Sequence, residues 1–306
     1  MLFGKGFCMG TADVIPGVSG GTMAFILGIY PRLLAAINSF DLEWLRRLVR
    51  LDIKGALSYP DFQLLVPLGL GIFAALMFFT RVIPLPILII THPEFVYALF
   101  FGLIVGSIIV LLRQIPEIGL AGALRLGAGF VLGFLVVTLV PTNTPDAVWF
   151  VFLSGALAIT AMILPGISGS FVLLILGKYA YIFDAIGRLD LLVLLPFGCG
   201  AVTGLALFSR FLAWLLRRYH DGTMLVINGV LIASLWVIWP FQERSYIEIR
   251  GKPRLVESSP LVPDLFDTTV LAAIGLMLLG ISAVLGIHAM AERKRLVLSE
   301  SVEHEA

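Results

Sequence analysis

Charge is what this sequence has least of: 20 Asp and Glu with 21 Lys and Arg make up only 13% of its 306 residues. With 59% hydrophobic residues and a mean hydropathy of +1.02, that scarcity excludes a soluble globular domain and leaves a polytopic membrane protein. Cysteine is nearly absent. Cys8 and Cys199 each sit in an apolar run, so no disulfide framework is expected. The four histidines, His92, His220, His288 and His304, are scattered, with no His-Glu-x-x-His and no cysteine pair to suggest a metal. Neither a cofactor nor a nucleic-acid partner is expected. The apolar run after Lys5 carries Asp13 and continues into a repeat, unlike a secretory leader.

What the sequence does contain is one stretch written twice. Thr11-Ala-Asp-Val-Ile-Pro-Gly-Val-Ser-Gly-Gly-Thr22 runs on to Tyr30, and Thr160-Ala-Met-Ile-Leu-Pro-Gly-Ile-Ser-Gly-Ser-Phe171 runs on to Tyr179. Laid over each other without a gap, Thr11, Ala12, Pro16, Gly17, Ser19, Gly20, Ile26, Leu27, Gly28 and Tyr30 all recur. Pro-Gly-x-Ser-Gly is a helix breaker between two apolar runs, because proline removes a donor and glycine admits positive φ. In a bilayer such a break survives only where protein or a watery cavity covers its unpaired backbone. Helix N-termini at such breaks face anionic groups in transporters.

The pattern predicts an all-α fold. A first hairpin takes Phe3 to Ile15 and Thr22 to Ile37, limbs short of the ~20 residues that a span needs. A basic amphipathic stretch from Asp41 to Lys54 suits the membrane surface. Spans are expected at 64–83, 95–112 and 120–140, then a second hairpin at 148–164 and 171–186, then spans at 191–216, 223–239 and 269–290. Within the polar segment 242–267, residues 246–256 read as a small β-hairpin turning at Gly251-Lys252. Val66-Pro-Leu-Gly-Leu-Gly71 echoes Leu195-Pro-Phe-Gly-Cys-Gly200, each followed at the same distance by an arginine, Arg81 and Arg210. Gly102 to Ser107 is echoed by Gly229 to Ser234.

Each unit is therefore a hairpin plus two spans: residues 1–119 and 141–240, joined by the linker span 120–140. The loop 241–268 and the last span and tail, 269–306, follow. The lone linker inverts the second unit. Arg46, Arg47, Arg50, Lys54, Arg113, Arg217, Arg218, Arg293, Lys294 and Arg295 then share one side, which the positive-inside rule makes cytoplasmic, with both termini inside.

Chemistry is expected where the repeat is. Pro16, Gly17, Ser19, Gly20, Gly21 and Thr22 in the first copy, with Pro165, Gly166, Ser168, Gly169 and Ser170 in the second, offer backbone N–H groups and hydroxyls to an anion. Arg81 and Arg210 lie in apolar surroundings and read either as charges buried in the membrane, able to hold a phosphate by charge-assisted bonds, or as side chains snorkelling to the interface. Lys178, which replaces Ile29 of the first copy, either snorkels or reaches phosphate. Asp13, replaced by Met162 in the second copy, is either a proton or cation coupling site or a carboxylate pairing with the broken backbone. Glu94, after His92-Pro93, suits a helix start and is the other coupling candidate. The serines resemble a nucleophile elbow only superficially, since no basic partner accompanies both, so an enzyme is not expected.

At these motifs the chain resembles the bacterial polyprenyl-phosphate transporter family, long catalogued as a domain of unknown function. The residues carrying the likeness are Gly10 to Thr22 and Pro165 to Ser170, and it extends over nearly the whole chain. The resemblance implies return of undecaprenyl phosphate from the outer to the inner leaflet of the cytoplasmic membrane, for reuse in cell-wall synthesis. Its partners would be that lipid phosphate and the surrounding lipids. A channel or carrier for small inorganic anions is the alternative from the residues themselves, and a scaffold without transport is disfavoured by the arginines.

Overall fold

A computed structural model of the chain describes residues 1–14, 19–82, 87–88, 91–115, 117–139, 144–249, 252–263 and 267–304. The first unit begins with α1 (Leu2–Val14), α2 (Gly20–Ile26) and α3 (Tyr30–Asn38), then two short surface helices, α4 (Leu42–Val49) and α5 (Ile53–Ser58). Long helices α6 (Phe62–Arg81), α7 (Pro93–Arg113) and α8 (Leu120–Val137) follow. The second unit repeats the order: α9 (Val148–Ile163), α10 (Gly169–Ile175), α11 (Tyr179–Arg188), α12 (Leu191–Arg218) and α13 (His220–Ser234). A two-stranded antiparallel sheet, β1 (Gln242–Ile249) and β2 (Lys252–Pro260), precedes α14 (Thr268–His304). Five helices, α6, α7, α8, α12 and α14, are long and apolar enough to cross a membrane, so the protein is a multi-pass, mainly helical membrane protein.

Side chains set the helix starts. Asp61, Asp190 and Asp41 cap α6, α12 and α4 by accepting from backbone N–H groups one turn in, and Pro93 opens α7. Glycine sets the other ends: Gly28 and Gly177, equivalent in the repeat, adopt φ of 67° and 63° and stop α2 and α10. Both second limbs are therefore cut short, where the sequence predicted continuous runs to Ile37 and Ile186. α10 and α11 meet at 109°. Each seven-residue limb is about 10 Å long at 1.5 Å per residue, far below the ~30 Å of a hydrocarbon core.

Four helix pairs make up the body, and glycine lets each pair approach. In α1 against α6, Gly6 meets Leu68 and Gly10 meets Ile72; in α9 against α12, Phe152 meets Gly200 and Ala156 meets Gly204. Residue numbers rise together within each pair, so the helices run parallel. The chain has thus returned to the end where α1 began before α6 starts, and likewise for α9 and α12. A β-carbon at Gly6 or Gly200 would overlap a carbonyl oxygen of its partner helix.

The other two pairs are α7 with α14, crossing at Gly102 and Gly280, and α8 with α13, crossing at Gly129 and Gly229. The linker and last spans, set outside the repeat by sequence, are thus packed as counterparts of one another. Two further differences have simple causes. α13 stops at Ser234 rather than 239 because the N–H groups of Leu235, Trp236 and Val237 bond three residues back, tightening the chain. The basic stretch breaks at Leu51 (φ 56°) into α4 and α5. The β-hairpin is present and longer than expected; Lys252, expected in the turn, pairs with Ile249 instead, and Gly251 lies outside the described residues.

Candidate functional site

The two breaks touch. α9 ends at Ile163 with carbonyls that no helical N–H can reach, and the first copy supplies the donors. Ser19 Oγ donates to the Met162 carbonyl at 2.9 Å and the Tyr30 hydroxyl donates to that of Ile163 at 2.8 Å. In return Gly166 N–H donates to Thr22 Oγ1 at 2.9 Å. Ser19, Thr22 and Tyr30 are buried, and Gly21 lies so close that a β-carbon there would sit 2.7 Å from the Met162 oxygen. Gly166 needs its freedom as well, at φ 95° against Val230 and Leu231.

Within the first copy the break is closed by its own side chains. Asp13 Oδ1 accepts from Gly20 N–H at 2.7 Å, and Ser19 Oγ accepts from Gly21 N–H at 3.1 Å. The Asp13 carboxylate is thus paired with the backbone at the break. The second copy is open. Met162 stands where the carboxylate would be, Ser168 makes no cap to α10, and the hydroxyls of Ser168 and Ser170 bond only each other at 2.8 Å on an exposed edge. Gly169 packs under the Ala158 carbonyl. Pro16 and Gly17 lie outside the described residues, whereas Pro165 is buried in the junction.

The carbonyls that end the two short limbs are also matched: Lys5 Nζ donates to Leu27 O at 2.7 Å, and Thr144 Oγ1 donates to the equivalent Leu176 O. Lys178 is away from the junction. Its side chain, only 2% exposed, donates to the Thr144 carbonyl at 2.8 Å and pairs with Asp146, beneath the rings of Phe150 and Tyr181. It anchors the entry to α9.

The protein does not enclose either arginine. Arg81 is exposed at the end of α6, without an ion pair among the described residues. Arg210 is exposed near the end of α12, with a long 3.4 Å bond to Ala206 O. Apolar neighbours in sequence fix the helix but not the face on which an arginine lies. Arg210 adds to the forces that hold the surface Asp41 carboxyl below its usual range, after the Trp44 N–H, the Tyr59 hydroxyl and the Glu43 N–H. Glu94 pairs with His92 at 3.5 Å. Sequence reasoning missed Tyr30 as a junction donor, although its recurrence as Tyr179 was visible. It also missed Asn38, which exchanges hydrogen bonds with Ser209 of α12 at 2.7 and 3.2 Å.

Comparison with known proteins identifies the family. Residues 9–254 match the model of a family described as undecaprenyl phosphate translocase-like. A polyprenyl-phosphate transporter of Vibrio cholerae is 39% identical over 297 residues, 94% of this chain and 96% of its own. A polyprenyl-phosphate transporter of Staphylococcus aureus is 30% identical over 255 residues, 77% of this chain and 84% of its own. No solved structure matches. Both relatives are named as transporters, not enzymes. On the length of the match and the motif it includes, this chain belongs to the undecaprenyl phosphate translocase-like family.

Proposed function

We propose that the protein carries a polyprenyl phosphate, undecaprenyl phosphate in the cell, from the outer to the inner leaflet of the bacterial cytoplasmic membrane, returning it for peptidoglycan synthesis. The observation that carries this reading is the asymmetric junction of the two breaks. One copy is sealed by Asp13, and the other presents the Ser168 and Ser170 hydroxyls and uncapped N–H groups to an anion.

The two units form an inverted repeat of re-entrant hairpins in this reading. Phe40 and Phe62 meet edge to face at 6.0 Å, putting the end of the first hairpin at the start of α6, while Asn38 bonds Ser209 near the end of α12. α6 thus begins where α12 finishes, which favours opposite orientation. The same end gathers Arg46, Arg47, Arg50, Arg217 and Arg218, supporting a cytoplasmic face there with both termini inside. Arg210 lies towards that face and Arg81 towards the other. Each arginine receives the phosphate at its own side, and Asp13 couples passage to a proton or cation.

The test is a proteoliposome assay with a fluorescent polyprenyl phosphate and a membrane-impermeant quencher, run beside a phosphate- and chloride-leak assay. Protein-dependent loss of quenchable lipid without anion leak is expected. Anion leak with no lipid movement would establish the small-anion alternative instead.

A further inference from the structure

Resting on that reading, we infer that the crevice between α9 and α12 is the berth for the isoprenoid tail of the lipid phosphate. The two helices are clamped together where Gly155 meets Phe197 and Gly200 meets Phe152. Beside this clamp, towards the N-terminal ends of the two helices, lies an open hollow that Pro196 helps to line. The opening has a volume of about 880 Å³, within the roughly 300–1,000 Å³ typical of small-molecule sites. Val148, Trp149, Phe152 and Leu153 form one wall, with Leu195 and Pro196 on the other. Cys199 lies on its floor and is exposed.

Three features choose the occupant. The walls hold no charged group and no hydrogen-bonding side chain apart from the indole of Trp149, so a phosphate head is excluded and a hydrocarbon fits. A smaller hollow, reaching Val202 and Thr203, continues along α12, so the berth is elongated as a chain requires. Finally, α9 joins it directly to the junction. Leu153 and Leu157 keep an exposed apolar edge along α9, and Trp149 to Ile163 is 15 residues, about 22 Å of helix. α9 therefore leads from the crevice to the break that carries Ser168 and Ser170.

Gly198 provides a plug that spares the fold, since a β-carbon there meets no atom within 4 Å. The experiment uses the full chain with Cys8→Ser, so that Cys199 is the remaining thiol. Its maleimide alkylation is timed in nanodiscs with undecaprenyl phosphate, farnesyl phosphate, dioleoyl phosphatidate or inorganic phosphate. Undecaprenyl phosphate should slow the reaction about tenfold, farnesyl phosphate less, and the other two not at all. Gly198→Trp should abolish that tail-dependent protection and slow translocation about tenfold in protein of normal yield.

Equal protection by phosphatidate would show ordinary lipid in the crevice and overturn the inference. So would Cys199 already shielded without lipid at raised protein concentration, which marks a second copy. Translocation by the parent without protection of Cys199 overturns the berth and leaves the transport reading standing. Protection without translocation does the reverse.

Discussion

The two copies of Pro-Gly-x-Ser-Gly share a sequence and do opposite work. In the first, Asp13 and Ser19 bond the N–H groups of Gly20 and Gly21, and the remaining donors reach across to the other copy. In the second, Met162 contributes only its backbone carbonyl, and Ser168 and Ser170 face outwards. One side-chain exchange at the break, Asp for Met, separates a copy whose backbone N–H groups are taken up by its own side chains from a copy whose serine hydroxyls bond each other at an exposed edge.

The largest effect should come from erasing this difference at Gly21, whose counterpart is Ser170. Gly21→Ser forces a β-carbon to 2.7 Å from the Met162 oxygen, an overpacking worth about 1–3 kcal/mol. Transport should fall more than about tenfold. The reverse exchange, Ser170→Gly, should leave folded yield unchanged and weaken lipid-phosphate binding only severalfold. Equal loss of yield from both would remove the contrast.

Next in size is Asp13→Asn. An amide oxygen still accepts from Gly20 N–H, so only the charge is removed. Transport measured against an imposed proton or sodium gradient should lose its dependence on that gradient, while substrate binding persists. An unchanged dependence takes Asp13 out of coupling. Asp13→Ala should in addition lower stability by about 1–3 kcal/mol by orphaning that donor.

Arg81→Ala and Arg210→Ala test the comparison at the two ends. Each should weaken capture of lipid phosphate from one face by about tenfold, read in oriented vesicles, with lysine restoring part of it because it lacks the planar fork. If both alanine variants capture as the parent does, the arginines are interface anchors.

The smallest effect on transport is expected at Lys178. Lys178→Ile gives the second copy the first copy's residue and leaves Asp146 and the Thr144 carbonyl without their donor. Thermal stability should drop by about 1.5–3 kcal/mol, with transport per folded molecule unchanged. A selective loss of phosphate binding would return Lys178 to the site.

Much of the fold was legible because breakers are local. Pro165 and Gly166 announce where α9 stops, whereas Gly28 and Gly177, which end α2 and α10, were passed over, so both second limbs were read as continuous. The repeat told which segments correspond. Which surfaces meet was not legible, because in an apolar helix every face looks alike. Hydropathy placed Arg81 and Arg210 among apolar residues without showing that both lie on the outer surface of their helices, and Gly129 and Gly280 gave no hint of the helices they lie against. The site was half legible: the motif residues converge, but whether Asp13 binds or blocks depends on a 2.7 Å contact that no spacing reveals.

The crossed pairing of α8 with α13 and of α7 with α14 also bears on how the chain is made. Synthesis delivers α7 early, with the Gly102 and Gly106 face bare, and its partner α14 last of all the helices. For nearly the whole of insertion the first half therefore waits with an unfilled seam in the bilayer. A chain cut before residue 268 would lack α14 and leave the Gly102 and Gly106 face of α7 without its partner helix.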